Sequence, residues 1–156
     1  MSFAIRIDRA AIHAAVNGLV DDVEAAARPA AQAMAQVFYD AVKTNVARIR
    51  RRTGNLDRSI YQAFSADNSG QGYATYHVSW NAAKAPHGHL VEYGHLQRYL
   101  VTIDDRGRWI THKDKPLPSP VYIPGKPFLR PAMAMEAVAY AAGIATVRMR
   151  LGLQPT

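Results

Sequence analysis

Three histidines, His87, His89 and His95, lie within nine residues, with Glu92 among them. A His-x-His pair can supply two metal ligands and Glu92 a third, but a working site also needs groups that hold those ligands in place. Phosphate chemistry is offered by a second group, Arg48, Arg50, Arg51 and Arg52, with Lys43 and Arg58 nearby. Guanidinium forks of this kind can take phosphates or an acidic partner protein. They can equally stand as a solvated helix end, where positive charge suits the carbonyl dipoles. No set of stacking aromatics accompanies the run. Gly-x-Ser-x-Gly, His-Glu-x-x-His, Gly-x-x-x-x-Gly-Lys and Gly-x-Gly-x-x-Gly are all missing, so neither a hydrolase nor a nucleotide loop is indicated. The expectation is a protein without catalytic residues, cofactor or bound metal.

The elements that position these residues read as α, then β, then α. From about Asp8 to Arg50 the chain is alanine-rich and carries no strand-forming run, which predicts helix. Ala30, Met34, Val37, Phe38, Ala41, Val42, Val46 and Ile49 recur at three- and four-residue steps as an apolar stripe. Pro29 predicts a break or kink, with one helix to about Ala27 and a longer one from Pro29 to about Thr53-Gly54. Phe3–Ile7 alternates like a short edge strand. Ile60–Ala66 and Tyr73–Trp80 flank a cluster of turn formers and predict an antiparallel hairpin, followed by a loop over Asn81–His89. A second hairpin is expected from Arg98–Ile103 and Arg108–Thr111 around Asp104-Asp105-Arg106-Gly107. Five prolines between Lys113 and Pro127 argue against a central strand and for an extended arm, with Val121-Tyr122-Ile123 pairing at an edge. Pro131 opens a final helix whose inner face is Ala132, Met135, Ala139, Ala142, Thr146 and Met149, with Arg148 and Arg150 in its last turn.

The predicted class is α+β: an antiparallel sheet packed against a long N-terminal helix and a C-terminal helix, with a hairpin and proline-rich arm. Residues 1–156 read as a single domain, divided into a helical region at 8–52, a β-hairpin at 60–80, a hairpin and projecting arm at 96–127, and a C-terminal helix at 131–150. A chain of 156 residues can bury roughly 70% of its unfolded surface, enough for its own core. With no cysteine, disulfides and thiolate ligands are excluded. No stretch approaches the roughly 20 apolar residues of a membrane span, and the first residues do not read as a secretory signal; a soluble, non-secreted protein is expected. The net charge of +7 draws the protein to polyanions at low salt. Its basic residues are nonetheless scattered, apart from the one cluster, instead of gathered on a reading face.

Three phrases occur in order: Thr53-Gly54-Asn55-Leu56-Asp57-Arg58-Ser59-Ile60, Leu90-Val91-Glu92-Tyr93-Gly94, and Gly125-Lys126-Pro127-Phe128-Leu129-Arg130-Pro131-Ala132-Met133. Each joins a turn-forming Gly or Pro to a bulky apolar residue and a charge, as expected where the backbone path is fixed for docking on another subunit. Together they resemble the head-tail joining proteins of long-tailed, lambdoid-type bacteriophages, the neck or tail-completion family. There a Thr-Gly-Asn-Leu turn, a Glu-aromatic-Gly phrase and a Pro-Phe-Leu-Arg-Pro-Ala phrase recur. Two departures stand out: His95 occupies a position that is typically Thr, and Leu96–Pro124 is long.

The resemblance implies a structural protein of the virion neck, present in host cytoplasm during assembly. It would form a six-fold or twelve-fold ring that connects the head and portal to the tail, as a tail-completion or head-closure protein. Implied partners are copies of itself and neighbouring neck, adaptor or stopper and tail proteins, with packaged DNA close by and no membrane. On this reading Thr53, Gly54, Asn55, Leu56, Glu92, Tyr93 and Gly94 shape loops, and Arg98 to Pro124 supplies the arm. Candidate interface residues are Phe128, Leu129, Arg130, Tyr122, Trp109 and Arg98. Phe128 has two readings: a plug for a neighbour's pocket or a staple on the domain's own core. The alternatives to the neck assignment are a small basic DNA-binding protein centred on Arg48 to Arg52, and a tail terminator in the same particle.

Overall fold

The computed structural model describes residues 9–49, 54–106 and 108–153, with no account of the side chains of 9–13 and 15. The fold is α+β. Helix α1 runs from Arg9 to Arg48 and the short helix α2 from Asn55 to Ser59. Strands β1 (Ile60–Gly70) and β2 (Tyr73–Trp80) follow, then α3 (Gly88–Tyr93), β3 (Gly94–Ile103) and β4 (Trp109–Pro124). A 3-10 helix at Arg130–Met135 leads into α4 (Glu136–Arg150). The strands make two separate two-stranded sheets, β1-β2 and β3-β4.

Pro29 does not divide the first helix, which continues through it. A proline in a helix removes one N–H and strains one turn. The carbonyl it leaves without its i+4 donor belongs to Ala25, an exposed residue that solvent can reach. Alanine-rich sequence on both sides favours propagation, and burial of Ala26, Ala30 and Ala35 holds the helix down on either flank. The predicted stop at Thr53-Gly54 also moves. Helix α1 ends at Arg48, and Gly54, at φ 71°, stands before α2. The expected strand at Phe3–Ile7, together with Arg50, Arg51, Arg52, Thr53 and Gly107, lies outside the described residues.

The chain divides into two compact units. One takes the chain up to Ala41, Tyr61–Ser79 and everything from Ala132. In it the β1-β2 hairpin and α4 both pack on α1. Arg28 lies 4.1 Å over the ring of Phe64, Phe64 meets Tyr76, and Gln71 donates to Glu24 at 2.6 Å. On the other side, Gly143 of α4 sits so close to Met34 and the Ala30 carbonyl that a Cβ there would press on the methionine side chain. Ala132 and Ala139 are buried as expected, but Met149, predicted on the inner face, is 77% exposed. The small residues Ala139 and Gly143 set the contact line, and helical spacing then carries Met149 away from it.

The second unit comprises Val42–Ile60 and Trp80–Pro131. Its β3-β4 ribbon accommodates the prolines by register breaks. Gly94 to Gln97 pair with Pro124 to Val121, Tyr99 with Pro116, and Leu100 to Ile103 with His112 to Trp109. Strand β4 is six residues longer than β3, and the excess is taken up at two bulges around Pro116, Pro118 and Pro120. Both strands are edges, the setting in which proline is tolerated. At the tip, the Asp104 carboxylate accepts from the backbone N–H of Arg106 and Arg108 and from Arg108 Nε. The Arg108 N–H and guanidinium bonds hold its carboxyl below the ordinary value.

Candidate functional site

All three sequence phrases lie in the second unit, apart from the last residues of the third. In the first, Asn55–Ser59 form the short helix α2. Gly54 takes a left-handed conformation, its carbonyl accepts from the Arg58 N–H, and Asn55 Oδ1 accepts from the Arg58 guanidinium at 2.7 Å. Leu56 is buried. Lys43, one turn before the end of α1, donates to the Asp57 backbone carbonyl at 2.9 Å and pairs with its carboxylate. Ser59, also buried, returns its hydroxyl to the Leu56 carbonyl at 2.7 Å. The phrase therefore ties α2 to the end of α1.

Glu92 sits on α3 and is fully buried. Its Oε2 accepts from the N–H groups of Phe128 at 2.6 Å and Leu129 at 3.0 Å. Its Oε1 accepts from the N–H and the Nε of Arg130, both at 3.1 Å. Arg130 also donates to the Glu92 backbone carbonyl at 2.9 Å, and its guanidinium lies 5.0 Å over the ring of Tyr93. Three successive N–H groups entering a helical turn have no partner within that turn; this carboxylate supplies it. Burial by itself raises the Glu92 pKa, but the N–H bonds from Leu129, Phe128 and Arg130 together with the guanidinium outweigh it, and the carboxyl is held below its ordinary value. The second phrase thus caps the third.

Two glycines let the phrases approach this closely. Gly94 has φ 79° and ψ 175°, a region essentially restricted to glycine, and a Cβ on it would lie 2.6 Å from Gly125 N and the Ile123 carbonyl. A Cβ on Gly125 would meet Glu92 O and Gly94 N at 2.8 Å. The Lys126 N–H donates to the Val91 carbonyl at 2.7 Å alongside. Gly94→Ala is expected to cost about 2–3 kcal/mol, from backbone strain and overlap with backbone atoms that cannot move aside. A thermal melt of the purified variant checks it; an unchanged midpoint would refute the close crossing.

Phe128 is fully buried within its own chain. Its ring meets Trp80 edge-on at 5.8 Å between centroids, and its carbonyl accepts from Asn45 Nδ2 at 3.0 Å. Of the two readings of this residue, this burial is what the core staple expects. The Glu92 carboxylate, which accepts the Phe128 N–H at 2.6 Å, fixes the backbone from which this ring projects. Trp80 is in turn held against Gly88, which leaves no room for a Cβ, while the Asn81 N–H next to it donates to the Ser59 carbonyl at 2.9 Å. A continuous path of contacts therefore joins all three phrases.

The family described as "Bacteriophage HK97-gp10, putative tail-component" matches this chain over residues 10–94, more than half its length. The chain belongs to that family. Comparison with curated proteins and with solved structures gives no match. The HK97-gp10-like region ends at Gly94, the last residue of the second phrase, so it contains the first two phrases and Glu92. The Phe128-Leu129-Arg130 turn lies beyond it, yet is held by its last helix. As a phage tail component the protein is a structural part of a virion, a class that is typically not enzymatic.

The remaining candidates are spread over this unit. Tyr122 is 62% exposed, and its hydroxyl reaches the Tyr93 carbonyl at 3.3 Å. Trp109 is 60% exposed on β4, and Arg98 is exposed on β3. Leu129 is half-buried, and the Arg130 side chain, although bonded, is 60% exposed. Arg48 is exposed at the end of α1; its companions Arg50, Arg51 and Arg52 are outside the described residues. Both oxygens of Glu92 are taken by N–H groups, and among the described residues no group of three or more His, Asp and Glu could hold a metal ion. Nor is any helix among them long and apolar enough to cross a membrane. Asn45 and Gly88 went unrecognised in the sequence as parts of this cluster.

Proposed function

We propose that the protein joins the phage head to the tail as a ring in the neck, in the role of tail completion or head closure, with six-fold or twelve-fold symmetry. What carries this reading, beyond family membership, is the β3-β4 ribbon. It is a long two-stranded element to which no further strand is added among the described residues, with Ile103, Trp109, Val121 and Tyr122 exposed. Exposed apolar side chains on an unpaired ribbon are costly in an isolated protein and mark a surface that a partner covers. The clamp of Glu92 on residues 128–130 fixes the base of this ribbon where β3 begins and β4 ends, so the ribbon is presented from a rigid foundation. Arg98, Trp109 and Tyr122 would contact a neighbouring neck, stopper or tail protein, with Leu129 and the outer part of Arg130 at the margin. Packaged DNA would pass near the ring without being read.

Quantitative mass spectrometry of purified virions tests the reading. A small fixed copy number per particle is expected, and loss of the gene should leave filled heads and finished tails unjoined. Hundreds of copies would make the protein a tube or capsid subunit, and absence from the particle would overturn a virion role.

A further inference from the structure

The two edges of the β3-β4 ribbon are not equivalent. Strand β4 carries Pro116, Pro118, Pro120 and Pro124, none of which has an N–H to offer a further strand. Strand β3 carries no proline. Among the described residues no element beyond β4 and the adjoining α3 packs on β3 by more than isolated contacts. The direction of its backbone groups follows from the tip, where the Asp104 N–H donates to the Arg108 carbonyl at 3.0 Å. Facing residues of an antiparallel pair alternate between bonded and non-bonded. Ile103 stands opposite Trp109 and Val101 opposite Thr111, so the N–H and C=O of Val101 and Ile103 point away from β4, while those of Leu100 and Thr102 point toward it. Two residues before Val101, the Tyr99 carbonyl accepts from a side-chain amide, Gln97 Nε2, at 3.2 Å. The outer edge of β3 is thus a template for a third strand. Strand β4 offers the same only at its tip, from Trp109 and Thr111, before its prolines begin.

Charge indicates what the edge receives. The second unit carries fourteen of the nineteen Lys and Arg but five of the twelve Asp and Glu, a net of +9, which leaves −2 for the rest of the chain. Three of its five acids are already engaged, Asp57 by Lys43, Asp104 by Arg108 and Glu92 by Arg130. Along the ribbon and at its foot Arg98, Arg106, Lys113, Lys115 and Lys126 are exposed, against Asp105 and Asp114. Duplex DNA would answer these cations but not the exposed Leu96, Leu100, Ile103 and Val121 between them, because it presents phosphates and polar base edges. A second copy joined through the same edge would oppose Arg98 to Arg98. We propose that an extended acidic segment of a neighbouring neck or tail protein adds to the outer edge of β3 as a third strand, its backbone bonded to Val101 and Ile103 and a carboxylate beside Arg98. Main-chain bonds of this kind supply affinity, and the side chains along the strand supply specificity. The inference rests on the neck reading above and names the chemistry of the partner that the ribbon meets.

Complementation of a phage that lacks the gene tests the contact. Val101→Pro and Ile103→Pro each remove one outward N–H and no rung of the β3-β4 ladder, so both proteins should stay folded by circular dichroism while joined particles fall by about tenfold or more. Val101→Ala, which keeps the N–H, and Thr111→Pro, on the opposite edge, should join heads to tails as the wild type does. Arg98→Glu should also lower joining by about tenfold, through like-charge opposition. The occupant is identified by p-benzoylphenylalanine in place of Val101, activated by light in joined particles, and this measurement decides alone if a proline variant fails to fold. The linked peptide should come from another virion protein and be rich in Asp and Glu. A link to a second copy would overturn this occupant, as would a short DNA duplex retained by the purified protein at about 0.15 M salt and released by Arg98→Glu. Normal joining with both proline variants, or no link in joined particles, would overturn strand addition and leave the neck reading intact. Absence of the protein from the particles would overturn the neck reading itself.

Discussion

Glu92→Gln is expected to lower stability by about 3–5 kcal/mol at neutral pH, the range seen when one partner of a buried charged network is removed. The carboxylate accepts four N–H donors through two oxygens. The amide has one oxygen, so in either orientation its NH2 group faces two donors and leaves them unpaired in the interior. The ion pair with Arg130 contributes little of this, because that guanidinium is largely exposed and screened by solvent. Arg130→Ala should accordingly cost only about 1 kcal/mol. Acid gives an independent check. The Glu92 pKa is lower folded than unfolded, so its contribution is present in full above the unfolded value near 4.3 and is lost as pH falls through the folded value. Denaturant melts from pH 6 downward should show a falling limb for the wild type that is shallower in Glu92→Gln. Equal stability of the two proteins at pH 6 would refute the clamp.

Phe128→Ala should cost about 3–5 kcal/mol as well, by loss of a fully buried ring and the cavity left against Trp80. At roughly 2–4 °C per kcal/mol for a chain of this size, the melting midpoint should fall by about 6–20 °C. A surface role predicts the reverse pattern, unchanged melting with heads and tails left unjoined. Differential scanning calorimetry separates the two. A midpoint within about 1 °C of the wild type would return Phe128 to the interface.

The sequence by itself determined the class of structure and the family. Alanine-rich apolar periodicity makes α1 and α4 helices in any context, alternating aromatic and β-branched residues with turn formers between them make β1 and β2 a hairpin, and prolines keep β4 at an edge. These are local preferences, legible one window at a time. The three phrases were legible too, as glycine, proline, charge and aromatic in fixed order. Their meaning was not. That Glu92 closes on the N–H groups of Phe128, Leu129 and Arg130 depends on residues thirty-six to thirty-eight positions apart. No window contains both ends. Phe128 shows the same thing: its proline neighbours orient the backbone locally, but its ring is buried against Trp80, a strand residue far away in the sequence. Pro29 shows the converse. Local chemistry argued for a break, and burial of Ala26, Ala30 and Ala35 along the rest of the helix outweighed one missing hydrogen bond. Tertiary packing alone also decided which apolar residues stay uncovered. Spacing puts Val16, Leu19, Ala26 and Ala30 on one stripe and Ala142 and Met149 on one face. Which of them meets another element depends on where that element ends, and that is a property of the folded chain.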